Sequence, residues 1–159
     1  MSVLGVVVVT GKSPRVQAVV LDGTVGSPAV VEAFELRTSS TDPAEQAVDL
    51  ARHIEPKVAG AEYEKIAIRV AGPSPVGRRN KAAFSRAHCE GALIYVIRTA
   101  TGGPVTVMDP VTAPKAVGMK KTELDELADS LVSTGVNRDS VLAAIVALYQ
   151  VRRGTTDEQ

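Results

Sequence analysis

The chain has 159 residues, 45% of them apolar and 23% charged, with 18 bases balanced by 18 acids. This excludes a disordered chain, which needs low hydrophobicity and high net charge, and the length is that of one ordinary domain. A single cysteine, Cys89, excludes an intramolecular disulfide and a multi-thiolate zinc cluster, and 3% aromatics with no Trp argue against a face of many stacked rings.

The apolar opening run, Val3 to Val9, has no cation before it and is followed by Lys12 and Arg15. It lacks the form of a signal peptide and is far short of the ~20 residues that span a bilayer. A buried strand accounts for it, and a cytoplasmic protein without a membrane segment is expected. The β-branched stretch Val3–Thr10 reads as a strand covered on both faces, and Gly11-Lys12-Ser13-Pro14 as a turn. Val16–Leu21 is a second strand. Val30–Arg37 alternates as a third, with Val31 and Ala33 inward and Phe34 and Leu36 as further inward candidates. Short connections make the three an antiparallel meander.

The period then changes. Asp42 can cap a helix, with Pro43 in its first turn and Glu45 three residues on; Ala44, Ala47, Val48, Ala51, Ile54 and Val58 share one face. Lys65–Ala71 reads as a fourth strand, about 78–90 as a second helix, and Ala92–Ile97 as a fifth strand. Alternating helices and strands imply parallel pairing. Pro104–Met108 is an edge strand or extended loop. Thr122 caps a helix, and Gly135-Val136-Asn137 leads to a final helix with Val141, Leu142, Ile145, Leu148 and Tyr149 as its apolar stripe. The expected domain spans 1–153, with 154–159 a polar, disordered tail.

This order, together with Val3-Leu4-Gly5-Val6 before Thr10-Gly11-Lys12, resembles the opening of RuvC-type Holliday junction resolvases. Pro114-Lys115-Ala116-Val117-Gly118 and the run Asn137 to Ile145 resemble the approach to the last helix of that family and its start. The resemblance covers roughly residues 3–150 and implies an α/β, RNase H-like fold: a central five-stranded mixed sheet, three strands antiparallel and the rest parallel, flanked by helices. It also implies two-metal phosphodiester hydrolysis, which needs several converging carboxylates. Here the sequence departs. The first-strand acid should fall near Val8 or Val9, and the fourth-strand acid near Arg69. Of the two acids on the last helix, Asp139 remains and Leu142 stands at the other position. The expectation is therefore a fold that has lost its nuclease site, with no catalytic residues, no metal and no other cofactor.

Charge is unevenly placed: residues 1–64 carry five bases and nine acids, 65–121 ten bases and two acids, and 122–159 three bases and seven acids. Within the basic middle third, Arg69, Arg78, Arg79, Lys81, Arg86, Lys115, Lys120 and Lys121 are the expected contacts to DNA or RNA phosphates, with Arg98 in the same segment. His88-Cys89 and the distant His53 make a poor dyad, and Cys89 reads as a small buried residue. Glu123, Asp125, Glu126 and Asp129 suit the first turns of a helix. Gly72 to Arg79 could hold a phosphate but lacks a nucleotide-binding pattern. The leading expectation is an inactive RuvC-like protein that binds DNA or RNA, branched forms included, and acts as a homodimer through an apolar helix face. A protein-interaction scaffold is the alternative. The third reading is a metal-dependent nuclease using displaced acids Asp22, Glu35, Asp109 and Asp139.

Overall fold

The computed structural model describes residues 2–72 and 80–156. β1 (Ser2–Val9), β2 (Arg15–Thr24) and β3 (Ser27–Arg37) form the meander, followed by α1 (Pro43–Ala59) and β4 (Lys65–Arg69). Then come α2 (Lys81–Thr101), β5 (Val105–Met108), α3 (Ala113–Val117), α4 (Lys121–Leu131) and α5 (Arg138–Thr156). The five strands lie in the order β3-β2-β1-β4-β5. β1–β2 and β2–β3 are antiparallel, whereas β4 runs parallel to both β1 and β5. This is the expected mixed α/β sheet.

Strand alternation sends successive side chains to opposite faces. Leu4, Val6 and Val8 pack with Leu50, Ile54, Cys89, Leu93 and Ile97 beneath α1 and α2. Val3, Val19, Leu21 and Ala67 pack beneath α5, against Val141, Ala144, Ile145 and Leu148. A Cβ added at Gly5 would collide with the Ser140 carbonyl oxygen and the Ala144 amide, and would stand 2.7 Å from Ala144 Cβ. Glycine there lets α5 lie directly on β1, and the small residues of α5 serve the same close approach.

Several expected elements differ. No strand forms at Ala92–Ile97: α2 continues to Thr101 and ends at left-handed Gly102, and the fifth strand is Val105–Met108. Cys89, Leu93 and Ile97 repeat at helical spacing on the core side, so tertiary burial overrides the strand preference of Ile94-Tyr95-Val96-Ile97. The helix starts at Lys81, because Asn80 Oδ1 accepts the Ala83 N–H at 2.7 Å. In α1, Asp42 caps as expected, but the buried stripe is Gln46, Leu50, Ile54 and Val58, and Val48 faces outward. Gln46 tolerates burial because its amide donates to the Ser40 carbonyl at 2.9 Å. In β3 the register shifts opposite Val20/Leu21, which leaves Val31 unpaired and 58% exposed; Ala33 is exposed too, while Phe34 and Leu36 turn inward. The fourth helix is capped at Lys120, not Thr122, since the Glu123 carboxylate accepts the Lys120 N–H at 3.1 Å. α5 runs to Thr156, into the segment expected as polar tail. Among the described residues no helix is long and apolar enough to cross a membrane.

Candidate nucleic-acid interface

The N-terminus of α5 meets the sheet where β1 and β4 end. Asn137 starts the helix: its side-chain oxygen accepts the Asp139 and Ser140 N–H groups at 2.9 and 3.1 Å. This holds Asp139 in the first turn, above β4. Val7 pairs with Arg69 in the parallel β1–β4 register, on the face that Gly5 presents to α5. Arg69 Nη1 lies 2.9 Å from Asp139 Oδ2, with the arginine side chain 15% exposed and the aspartate 38%. Arg69 Nε is buried with no hydrogen-bond partner among the described residues. Val8 packs in the opposite core beneath α1 and α2, so Val7 rather than Val8 occupies the β1 position beside Arg69. Leu142, one turn along α5 from Asp139, is buried in the core between α5 and the sheet.

A cleft of about 380 Å³ opens beside this pair, lined by Arg69, Lys121, Asp125, Arg138, Leu142 and the 108–114 segment. Arg138 donates from Nε to Asp129 at 2.6 Å and from Nη2 to Asp125 at 2.9 Å. The Arg138 hydrogen bond is the main reason the Asp125 carboxyl lies below its ordinary value. The run of acids on α4 thus organises an arginine at the mouth of the cleft. Asp109 lies between the cleft-lining Met108 and Pro110. The Thr112 and Val111 backbone N–H groups lower its carboxyl, and the charge of Arg69 adds to them.

The expected cations divide. Arg69 and Lys121 line the cleft; Lys115 on α3 and Lys120 at the cap of α4 are exposed on the helices that border it. Lys81 lies apart, at the start of α2 on the other layer. Arg86 is not free for a phosphate: its Nε donates to Glu90 Oε1 at 2.6 Å, and the same oxygen accepts the Ala71 N–H at 3.1 Å. Glu90 is almost fully buried, so Arg86 neutralises it. Arg98 is exposed near the far end of α2. Arg78 and Arg79 lie outside the described residues.

Of the displaced acids, Asp109 and Asp139 both neighbour Arg69, whereas Asp22 and Glu35 lie elsewhere. The β1–β2 register pairs Asp22 with Ser2 and Arg15 with Val9, so Asp22 lies at the opposite end of the sheet from Arg69. Glu35 is held by Gln17 at 2.7 Å, by Arg37 and by Arg15 at 3.5 Å. Burial pushes its carboxyl up, but bonds from Arg37 and Gln17 with the charges of Arg37 and Arg15 bring it below its ordinary value. Among the described residues no three His, Cys, Asp or Glu side chains are grouped to hold a metal. Cys89 is buried and its thiol is pushed up by burial, then by Glu90. His53 Nδ1 lies 3.1 Å from the Arg37 carbonyl oxygen.

Sequence reasoning missed Arg15, Arg37 and Arg138. Arg15 and Arg37 pair across β2 and β3, next to a polar groove of about 590 Å³ lined by Gln17, Glu35 and residues 135–138. The signal was the polar alternation Arg15-x-Gln17 and Glu35-x-Arg37 in otherwise apolar strands. It marks a stretch of sheet that α5 leaves uncovered.

No family model and no curated protein matches the chain. Two solved structures are similar over 98% of both chains at 18% identity. They are the Thermus thermophilus RuvC structure, TM-score 0.68, and T. thermophilus RuvC in complex with Holliday junction substrate, TM-score 0.71. The chain has the RuvC-type, RNase H-like fold.

Proposed function

We propose that this chain is a RuvC-like protein that binds the phosphate backbone of nucleic acid at the Arg69 corner without hydrolysing it. The observation that carries the reading is the Arg69–Asp139 ion pair. A divalent pair needs several oxygen donors, and Mg²⁺ demands near-octahedral geometry around carboxylates and phosphates. Here Val7 and Leu142 offer hydrocarbon, Arg69 repels a cation, and Asp139 is already held by a guanidinium. These residues do not fit the two-metal site that the fold family implies. A guanidinium fork does suit a phosphate. Arg69, Lys121 and Arg138 line the cleft, Lys115 and Lys120 are exposed on the helices that border it, and Arg15 lies on the strand neighbouring β1. The likeness to a RuvC bound to junction DNA supports a nucleic-acid partner. Few aromatics favour backbone contacts over base stacking.

The same reading includes a homodimer through α2. Phe84, Ala87, Gly91 and Tyr95 form an exposed stripe facing away from the core, with Tyr95 72% exposed. A Cβ at Gly91 would meet nothing within 4 Å. Glycine in a helix interior is ~1 kcal/mol worse than alanine, and nothing within the described fold requires it. Close approach of a second copy of the helix supplies a reason.

A protein partner on the same edge is the second reading, favoured by Val111 and Val107, 76% and 49% exposed beside the cleft. Anisotropy titration of duplex and four-way junction DNA in EDTA, at low and high salt, tests the first reading. Binding that weakens with salt is expected; no binding at low salt rejects it. Capture of a protein partner that resists nuclease treatment would then favour the second.

A further inference from the structure

We propose that a second cleft, across the β1–β2 turn from Arg69, is a separate phosphate-binding site. Its volume is about 670 Å³, and it is bounded by the 10–14 turn, the 38–41 segment and the first two turns of α2. That size is ordinary for a ligand pocket. Its described lining carries Lys12, Lys81, His88 and seven hydroxyl side chains but no carboxylate, in a chain with 18 acids. Cations attract an oxyanion, and hydroxyls supply donors that rotate to meet it.

The hydroxyls divide by use. Thr38 Oγ1 donates to Asp49 at 2.8 Å, and Ser40 Oγ accepts the Asp42 N–H at 3.2 Å, so these two build the wall. Ser13 Oγ is buried with no partner among the described residues, and buried polar atoms are ordinarily satisfied. Ser13 Oγ has no surface open to the cleft, so Lys12 and Lys81 with the Thr10, Ser39, Thr41 and Ser85 hydroxyls are left to meet a phosphate. α2 begins at Lys81, and its positive end adds to the same field. The ligand class is a phosphate ester, which a nucleotide and a nucleic-acid strand both present. None of these residues belongs to the Arg69 corner, so each site can fail without the other.

The test is an amide and imidazole chemical-shift titration of the full chain at low salt. Inorganic tripolyphosphate is the probe in one arm and single-stranded oligothymidylate in the other. Saturable shifts of the Gly11, Lys12, Ser13 and Ser85 amides and the His88 ring are expected. A response to tripolyphosphate assigns the site to free phosphate compounds as well; a response to oligothymidylate alone assigns it to a strand. The Lys12→Ala/Lys81→Ala variant should weaken binding about tenfold or more, as loss of two phosphate contacts does, with the remaining spectrum unchanged. Arg69→Ala should leave these shifts in place. No saturable shift in either arm, or native-like binding by the double variant, overturns the proposal.

Discussion

Arg69 Nη1 stands 2.9 Å from Asp139 Oδ2, joining the end of β4 to the first turn of α5. Arg69 is mostly buried but Asp139 is over a third exposed, so water screens the pair from the aspartate side and its value to stability is modest, about 1 kcal/mol. Its value to binding is larger, because Asp139 competes with phosphate for the guanidinium. Asp139→Asn should therefore tighten nucleic-acid binding, by about threefold to tenfold for a partner worth ~1 kcal/mol. Arg69→Ala should weaken it uniformly across sequences and reduce the salt slope by about one. Anisotropy titrations over a salt series check both.

Introducing oxygen ligands at the Val7 and Arg69 positions should create a cation site. Val7→Asp with Arg69→Glu places two carboxylates at paired positions of β1 and β4, near Asp139. The variant should bind Mn²⁺, read by paramagnetic broadening of amides around Val7 and Asp139, while the native chain shows none. Equal broadening in both would show that the residue types at these positions do not govern metal binding.

Two glycines should respond in opposite directions. Gly5→Ala puts a methyl group into the backbone of α5 and should destabilise the fold by about 3 kcal/mol or more, at the upper end of overpacking costs. Gly91→Ala has open space and a helical backbone, so it should stabilise the monomer by about 0.5–1 kcal/mol while weakening self-association. Urea unfolding and sedimentation velocity separate the two effects.

Acid should loosen the Arg138 and Glu35 networks. The Asp125 and Glu35 carboxyls lie below ordinary values of 3.8 and 4.5 when folded. Groups lowered in this way contribute stability above the unfolded value, and lose it as pH falls through the folded one. Urea midpoints should be level near neutrality and fall on acidification below the ordinary carboxylate range. Asp125→Asn should flatten that fall.

The meander and the two-sided burial of β1 were legible because Val3–Val9 and Val16–Leu21 state their faces residue by residue. That Arg69 is a cation and Leu142 a hydrocarbon is read directly from the sequence, but that β4 and α5 bring both to one cleft is not. α2 was not legible, because Gly91 looks like a break and the following β-branched run prefers a strand until Cys89, Leu93 and Ile97 are seen against one core. The Val31 bulge depends on pairing with β2, which no local pattern records. Segment charge named Arg69 and Lys121 but also Arg86, whose partner Glu90 becomes decisive only once both are buried on α2. Arg15 and Arg138 fell outside the basic third and were gathered to the site by topology.

The most direct measurement pairs binding with cleavage on one labelled four-way junction, in EDTA and then in Mg²⁺ or Mn²⁺. The same salt-sensitive affinity is expected in all three conditions, with the DNA intact throughout. Binding that requires the metal, or metal-dependent cleavage abolished by Asp139→Asn, would contradict this expectation.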